Sequence, residues 1–194
     1  MFSSGSRSTH SSTGGTVSYF AAAIVRGSDG WTATEIDLSG AADIEEVADL
    51  LREVDADAQV SLLFVESDET YLAILRLDDG EDLRVFGSDS VFAEESRLGA
   101  LLIGDVEEPA IDLDSVAGGV DGHRGEAGED EEEVGAVEAD IKPVGDPDLL
   151  VDLGLPAHRL LELCARDGML PSDVTAEVCQ TIGCGDEMEE LREG

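Results

Sequence analysis

Lysine is nearly missing from this chain. Lys142 is the only one in 194 residues, and scattered arginines bring the basic total to 11 against 46 acids. No stretch gathers enough positive charge to hold a phosphate backbone, and a net charge of −35 repels one. Direct binding of nucleic acid or of an anionic membrane is therefore not expected. Cysteine is also scarce: Cys164, Cys179 and Cys184 are odd in number and confined to the last quarter. That is no disulfide framework of a secreted domain, and it fits a reducing cytoplasm. No apolar run approaches the roughly 18 residues of a membrane span. The N-terminus has no cationic region followed by an apolar core, so a signal peptide is not supported.

The motifs of several chemistries are lacking as well. A zinc nucleobase deaminase sets a His or Cys ligand beside a Glu and follows it with P-C-x-x-C, so that zinc-bound water meets its general acid/base. No C-x-x-C occurs, and none of His10, His123 and His158 is followed two residues later by Glu. Deaminase chemistry is excluded on that motif. There is no phosphate-cradling G-x-x-x-x-G-K-[ST], no G-x-G-x-x-G after a strand and no G-x-S-x-G elbow. A Ser-His-Asp or Cys-His site would have only His158 to use, and His158 reads as a helix-surface residue. His158, Cys164, Cys179 and Cys184 form a nominal metal set, but structural zinc sites bring ligands in close pairs. Cys164 and Cys179 fall on or beside apolar helix faces, where cysteine acts as a small hydrophobe. Cys184, between two glycines, is expected to be exposed and is the one thiol open to reaction. The acidic run Asp78-Asp79-Gly80-Glu81-Asp82 lacks the twelve-residue ligand spacing of an EF-hand and reads as a solvated turn. No catalytic, cofactor-binding or metal-ligating residue is assigned, and no cofactor is expected.

What is present is a sheet. Val60–Val65, Tyr71–Leu77 and Leu83–Phe86 are short apolar runs separated by the acidic turn clusters SDE and DDGED, which predicts three neighbouring antiparallel strands. Upstream, Val17–Arg26 and Trp31–Leu38 flank the turn GSDG and predict a hairpin whose second arm is a half-exposed edge strand. Ile44, Val47, Ala48, Leu51 and Val54 recur at helical spacing, with Asp43 as N-cap and Glu46 three residues on. A second helix is expected over Ser90–Ile103. The order β-β-α-β-β-β-α predicts an α+β domain over residues 17–104, an antiparallel sheet of about five strands with its helices on one face. That order resembles the profilin and roadblock class of scaffold domains.

The flanking segments differ in kind. Residues 1–16 are rich in Ser, Thr and Gly and are expected to be a disordered head, with the working protein beginning near Val17. Residues 105–145 carry 14 acids, six of them within Glu126–Glu133, and read as an extended acidic linker. Ile111, Leu113 and Val116 are its one candidate docking segment. Residues 146–194 regain order as short helices punctuated by Pro starts and Gly stops: Pro147 to Gly154, Pro156 to Gly168, and Pro171 onward with Val174, Val178 and Ile182 at i, i+4, i+8. This helical region has a thin core, and whether it packs on the sheet is left open.

Three segments carry a family resemblance: SYFAAAIVRGSDGWTATEIDL at Ser18–Leu38, LLFVESDETYLAILRLDDGEDLRVFGSD in the middle, and VGDPDLLVDLGLPAHRLLELCARDGMLPSDVTAEV at Val144–Val178. They resemble the tRNA adenosine deaminase-associated protein family of actinobacteria. The resemblance covers most of residues 17–192 apart from the acidic linker. It implies association with the deaminase, for which the family is named by gene neighbourhood, and it brings no functional residues to carry over. The expected function is that of a non-catalytic, cytoplasmic accessory protein whose acidic surface meets a basic protein partner, the tRNA adenosine deaminase being the candidate. The alternative is a small-molecule-binding or sensor domain. A carboxylate enzyme is the third reading.

Overall fold

A computed structural model describes residues 19–67, 70–103 and 142–193. The expectations for the head, for Asp68 and Glu69, and for the linker up to residue 141 lie outside those residues. Six antiparallel strands form one sheet in the order β2-β1-β3-β4-β5-β6: β1 Tyr19–Gly27, β2 Gly30–Glu35, β3 Val60–Ser67, β4 Tyr71–Asp78, β5 Asp82–Gly87 and β6 Val144–Gly145. The Ser28-Asp29 turn joins β1 to β2, with Gly27 opposite Gly30. Between β4 and β5, Asp79 and Gly80 both take positive φ (48° and 74°), the left-handed backbone that Asp-Gly accepts most easily.

Helices cover both faces. On one lie α1 (Ile44–Val54), α2 (Ser90–Glu95) and α3 (Arg97–Ile103), whose Val47, Ala48, Leu51, Leu98 and Leu102 meet Ala21, Ala23, Leu63, Val65, Ala73 and Leu75 of the sheet. The α1 start is as expected. The Glu46 N–H donates to Asp43 Oδ1 at 3.0 Å, and Glu46 Oε2 accepts from the Ala42 N–H at 2.8 Å. On the other face lie α4 (Ala157–Cys164), α5 (Pro171–Ile182) and α6 (Gly185–Glu193). Their Leu160, Leu161, Leu163, Val174, Val178 and Met188 close over Ala22, Ile24, Leu62, Phe64, Leu72, Ile74 and Phe86. The helical region that sequence left unplaced thus shares a core with the sheet. Phe64 and its neighbours would otherwise be bare to water, at about 25 cal/mol per Å² of apolar surface.

Three local differences from the sequence reading have physical causes. The helix over Ser90–Ile103 breaks at Ser96, which is extended (φ −102°, ψ 145°) and whose Oγ accepts the Gly99 N–H at 2.7 Å, capping α3. The Pro147–Gly154 segment is a series of turns ending in a 3-10 turn at Val151–Leu153. Asp146 Oδ1 accepts the Asp148 N–H at 2.8 Å, and the Leu149 carbonyl accepts from Arg76 in place of an amide one helical turn on. Val144 and Gly145, counted in the linker by composition, form the sixth strand instead. Gly145 has φ 88°, and a Cβ there would lie 2.2 Å from the Val85 carbonyl oxygen, so only glycine fits.

Candidate interaction surface

Arg76 projects from β4 toward the C-terminal layer and is only 3% exposed. It interrupts an otherwise apolar strand, and every N–H of its guanidinium is used. Nε and Nη2 donate to Asp78 Oδ1 at 2.9 and 2.7 Å. Nη1 donates to the Leu149 carbonyl at 2.6 Å, and Nη1 and Nη2 together hold Asp152 in a fork. Arg84 extends the cluster to Asp78 at 2.9 Å and to Asp146 at 3.7 Å. The hydrogen bond from Arg76 keeps the Asp152 carboxyl below the ordinary carboxylate range, against a smaller opposing effect of burial. This cluster ties the turns of residues 146–153 to the sheet.

The cysteines are inert by placement. Cys184 is fully buried, contrary to the exposure expected for it. The reason is the end of α5. Gly183 is left-handed (φ 89°), and the Gly183 and Cys184 N–H groups both donate to the Cys179 carbonyl, at 3.0 and 2.8 Å. This helix stop folds the residue after the glycine back onto the last turn, so Cys184 packs on Cys179. The Cys179 thiol donating to Cys184, and then burial, hold the Cys179 thiol far up, and burial pushes Cys164 to about 12. Neither is poised as a thiolate nucleophile. His158 lies exposed on α4, far in sequence and element from the Cys179–Cys184 pair, and no cluster of metal-ligating side chains occurs among the described residues.

Two hollows stand out among the described residues. One of about 420 Å³ lies open beside α5, lined by Arg166, Asp167, Met169, Asp173 and Glu177. The other, about 220 Å³, lies between the start of α1 and α3, against Ala41, Ile44 and Leu101.

The surface is organised by charge. Among the described residues Arg52, Arg76, Arg84, Arg159 and Arg192 are each engaged by a carboxylate, and Arg26 stacks over Trp31 at 5.6 Å. Lys142, before β6, Arg97, at the start of α3, and Arg166, just after α4, stand apart from one another. The acids are in surplus over the whole described surface, and one group of them falls at one end of the sheet. Asp29 in the first turn, Asp55 and Asp57 after α1, and Asp79, Glu81 and Asp82 in the β4–β5 turn all fall there. The ends are tied together by Gln59 N–H to the Arg26 carbonyl at 3.0 Å, Asp79 N–H to the Gln59 carbonyl at 3.0 Å, and Arg52 Nε to the Gly80 carbonyl at 2.7 Å. The Asp78–Asp82 run is the turn expected of it.

A family model for the Rv3753c-like tRNA adenosine deaminase-associated protein matches residues 19–185. The chain belongs to that family. The match takes in the whole sheet, both helical layers except most of α6, and the intervening residues. The family's description names association with the deaminase, and it is not a description of a deaminase. No curated protein and no solved structure matches the chain. No helix among the described residues is long and apolar enough to cross a membrane.

Proposed function

We propose that this member of the deaminase-associated family is a non-catalytic accessory protein of the cytoplasm that binds a basic protein, the tRNA adenosine deaminase being the partner its family description points to. The observation that carries the reading is the surplus of free carboxylates on a rigid frame. Most of the described arginines are spent on ion pairs within the chain, while the acids at the turn end of the sheet outnumber the cations there. A protein that binds tRNA must offer a positive surface, and the acidic frame complements it, raising the rate of encounter and excluding anionic competitors. In that role the chain competes with tRNA for the deaminase or holds it until tRNA displaces it. The small-molecule reading gains no support from hollows as open and polar as those beside α5.

Capture of the purified deaminase on the immobilised full chain, at about 50 mM and about 300 mM salt, tests this reading. A complex at low salt that weakens as salt rises, and that added tRNA competes away, is the expected result. Absence of any complex at both concentrations discards it.

A further inference from the structure

Among the described residues no strand pairs with the outer edge of β2. Ile36 donates its N–H to the Ala21 carbonyl at 2.9 Å, and the β1–β2 register runs unbroken from Gly27–Gly30 to Ala22–Glu35. Since N–H and C=O groups alternate in direction along an antiparallel strand, Thr32 and Thr34 bond inward to β1, whereas Trp31, Ala33 and Glu35 point their backbone groups away from the sheet. No hydrogen bond to those three outward N–H groups exists among the described residues. Sheet edges are normally blunted by lysine, proline or a bulge, and GWTATE has none of them.

The surroundings of that edge are acidic in balance, Arg26 over Trp31 being the cation on the neighbouring strand. Asp29 lies at one end, with Glu35 and Asp37 at the other. Helix α6, which packs alongside β2, carries Asp186, Glu187, Glu189, Glu190 and Glu193, and its Arg192 is taken by Glu66. A second copy of this chain added edge to edge would bring two such acidic sets together. From the open backbone and this charge we infer that β2 is the docking strand for an extended basic segment of a partner protein, which adds a seventh strand to the sheet beside the carboxylates of α6. The inference rests on the basic-partner reading above and specifies where that partner is held.

The test uses the full chain and the purified deaminase. Ala33→Pro removes an outward N–H and leaves the bonds to β1 in place, whereas Thr34→Pro removes an inward one. Ala33→Pro is expected to keep the melting temperature of the unaltered chain within a few degrees and to weaken the complex about tenfold or more. Thr34→Pro is expected to lower the melting temperature. Hydrogen exchange provides a readout needing no variant: the Trp31, Ala33 and Glu35 amides exchange fast in the free chain and become protected in the complex. If the unaltered chain binds the deaminase while Ala33→Pro binds equally and these amides gain no protection, the docking strand is overturned and the accessory reading stands. If the unaltered chain binds nothing, both fall. A dimer of the free chain that Ala33→Pro dissociates overturns it in favour of self-pairing.

Discussion

Arg76 is the residue on which the two halves of the protein depend, because one buried guanidinium satisfies Asp78, Asp152 and the Leu149 carbonyl together. Replacing it with Met, which fills similar space, leaves the Leu149 carbonyl without its side-chain donor, Asp152 to water, and Asp78 to Arg84 alone. Arg76→Met is expected to destabilise by roughly 3 kcal/mol, read from denaturant melts. Asp152→Asn loses less, since Asp152 is half exposed and water replaces part of the contact. Its effect depends on pH in a definite direction. The folded-state pKa of Asp152 lies below its ordinary value of 3.8. Its contribution is therefore complete above that value and is lost as pH falls through the lower, folded value. The stability difference between the native chain and Asp152→Asn should be constant from pH 7 to about pH 5 and shrink below pH 4. A difference that grows on acidification would contradict this assignment. None of the pairing was legible in sequence, because Arg76 and Asp152 are 76 residues apart. The burial of Cys184 had a readable signal: an apolar residue just after a helix-ending Gly, five beyond another, packs back on that helix.

At the scale of elements, the turns and α1 were legible because their causes are local: Ser28-Asp29, Asp79-Gly80, and Asp43 with Glu46. The packing of the C-terminal helices was not, though β3 and β4 carried the clue. VSLLFV and YLAILRL do not alternate apolar with polar, and strands without alternation are covered on both faces. Composition marks Val144-Gly145 as linker, while the backbone there pairs with β5 because Gly145 alone can pass so close to Val85. The shared core predicts that residues 1–145 do not fold by themselves. Without α4 to α6, Ile24, Leu62, Phe64, Leu72, Ile74 and Phe86 form one exposed apolar sheet face. That truncated chain should bind a hydrophobic dye and lose its cooperative thermal transition. A sharp transition retained at the temperature of the full chain would show that the second layer is dispensable.

For the whole molecule, the governing quantity is the chain's net charge of −35, only part of it on the described frame, whose ion pairs do not neutralise its acids. Charges of one sign on a compact body repel, and they repel less in the expanded unfolded chain, so folding is opposed by the protein's own field. Salt screens that repulsion, with a Debye length falling from ~30 Å at 0.01 M to ~3 Å at 1 M. The buried Arg76 cluster is screened much less than the surface acids, since water and ions reach it poorly. Stability and partner binding should therefore respond to salt in opposite directions. Raising sodium chloride from about 0.02 to about 0.5 M is expected to raise the melting temperature by roughly 4 °C or more, the equivalent of about 1–2 kcal/mol for a chain of this size. Over the same range the complex with a basic partner should weaken, because there the same field is attractive. The two measurements on one sample series separate the effects: calorimetry follows the repulsion and capture follows the attraction. A melting temperature that falls with salt would mean that surface ion pairs outweigh the surplus of acids, and the electrostatic basis for a basic partner would fall with it.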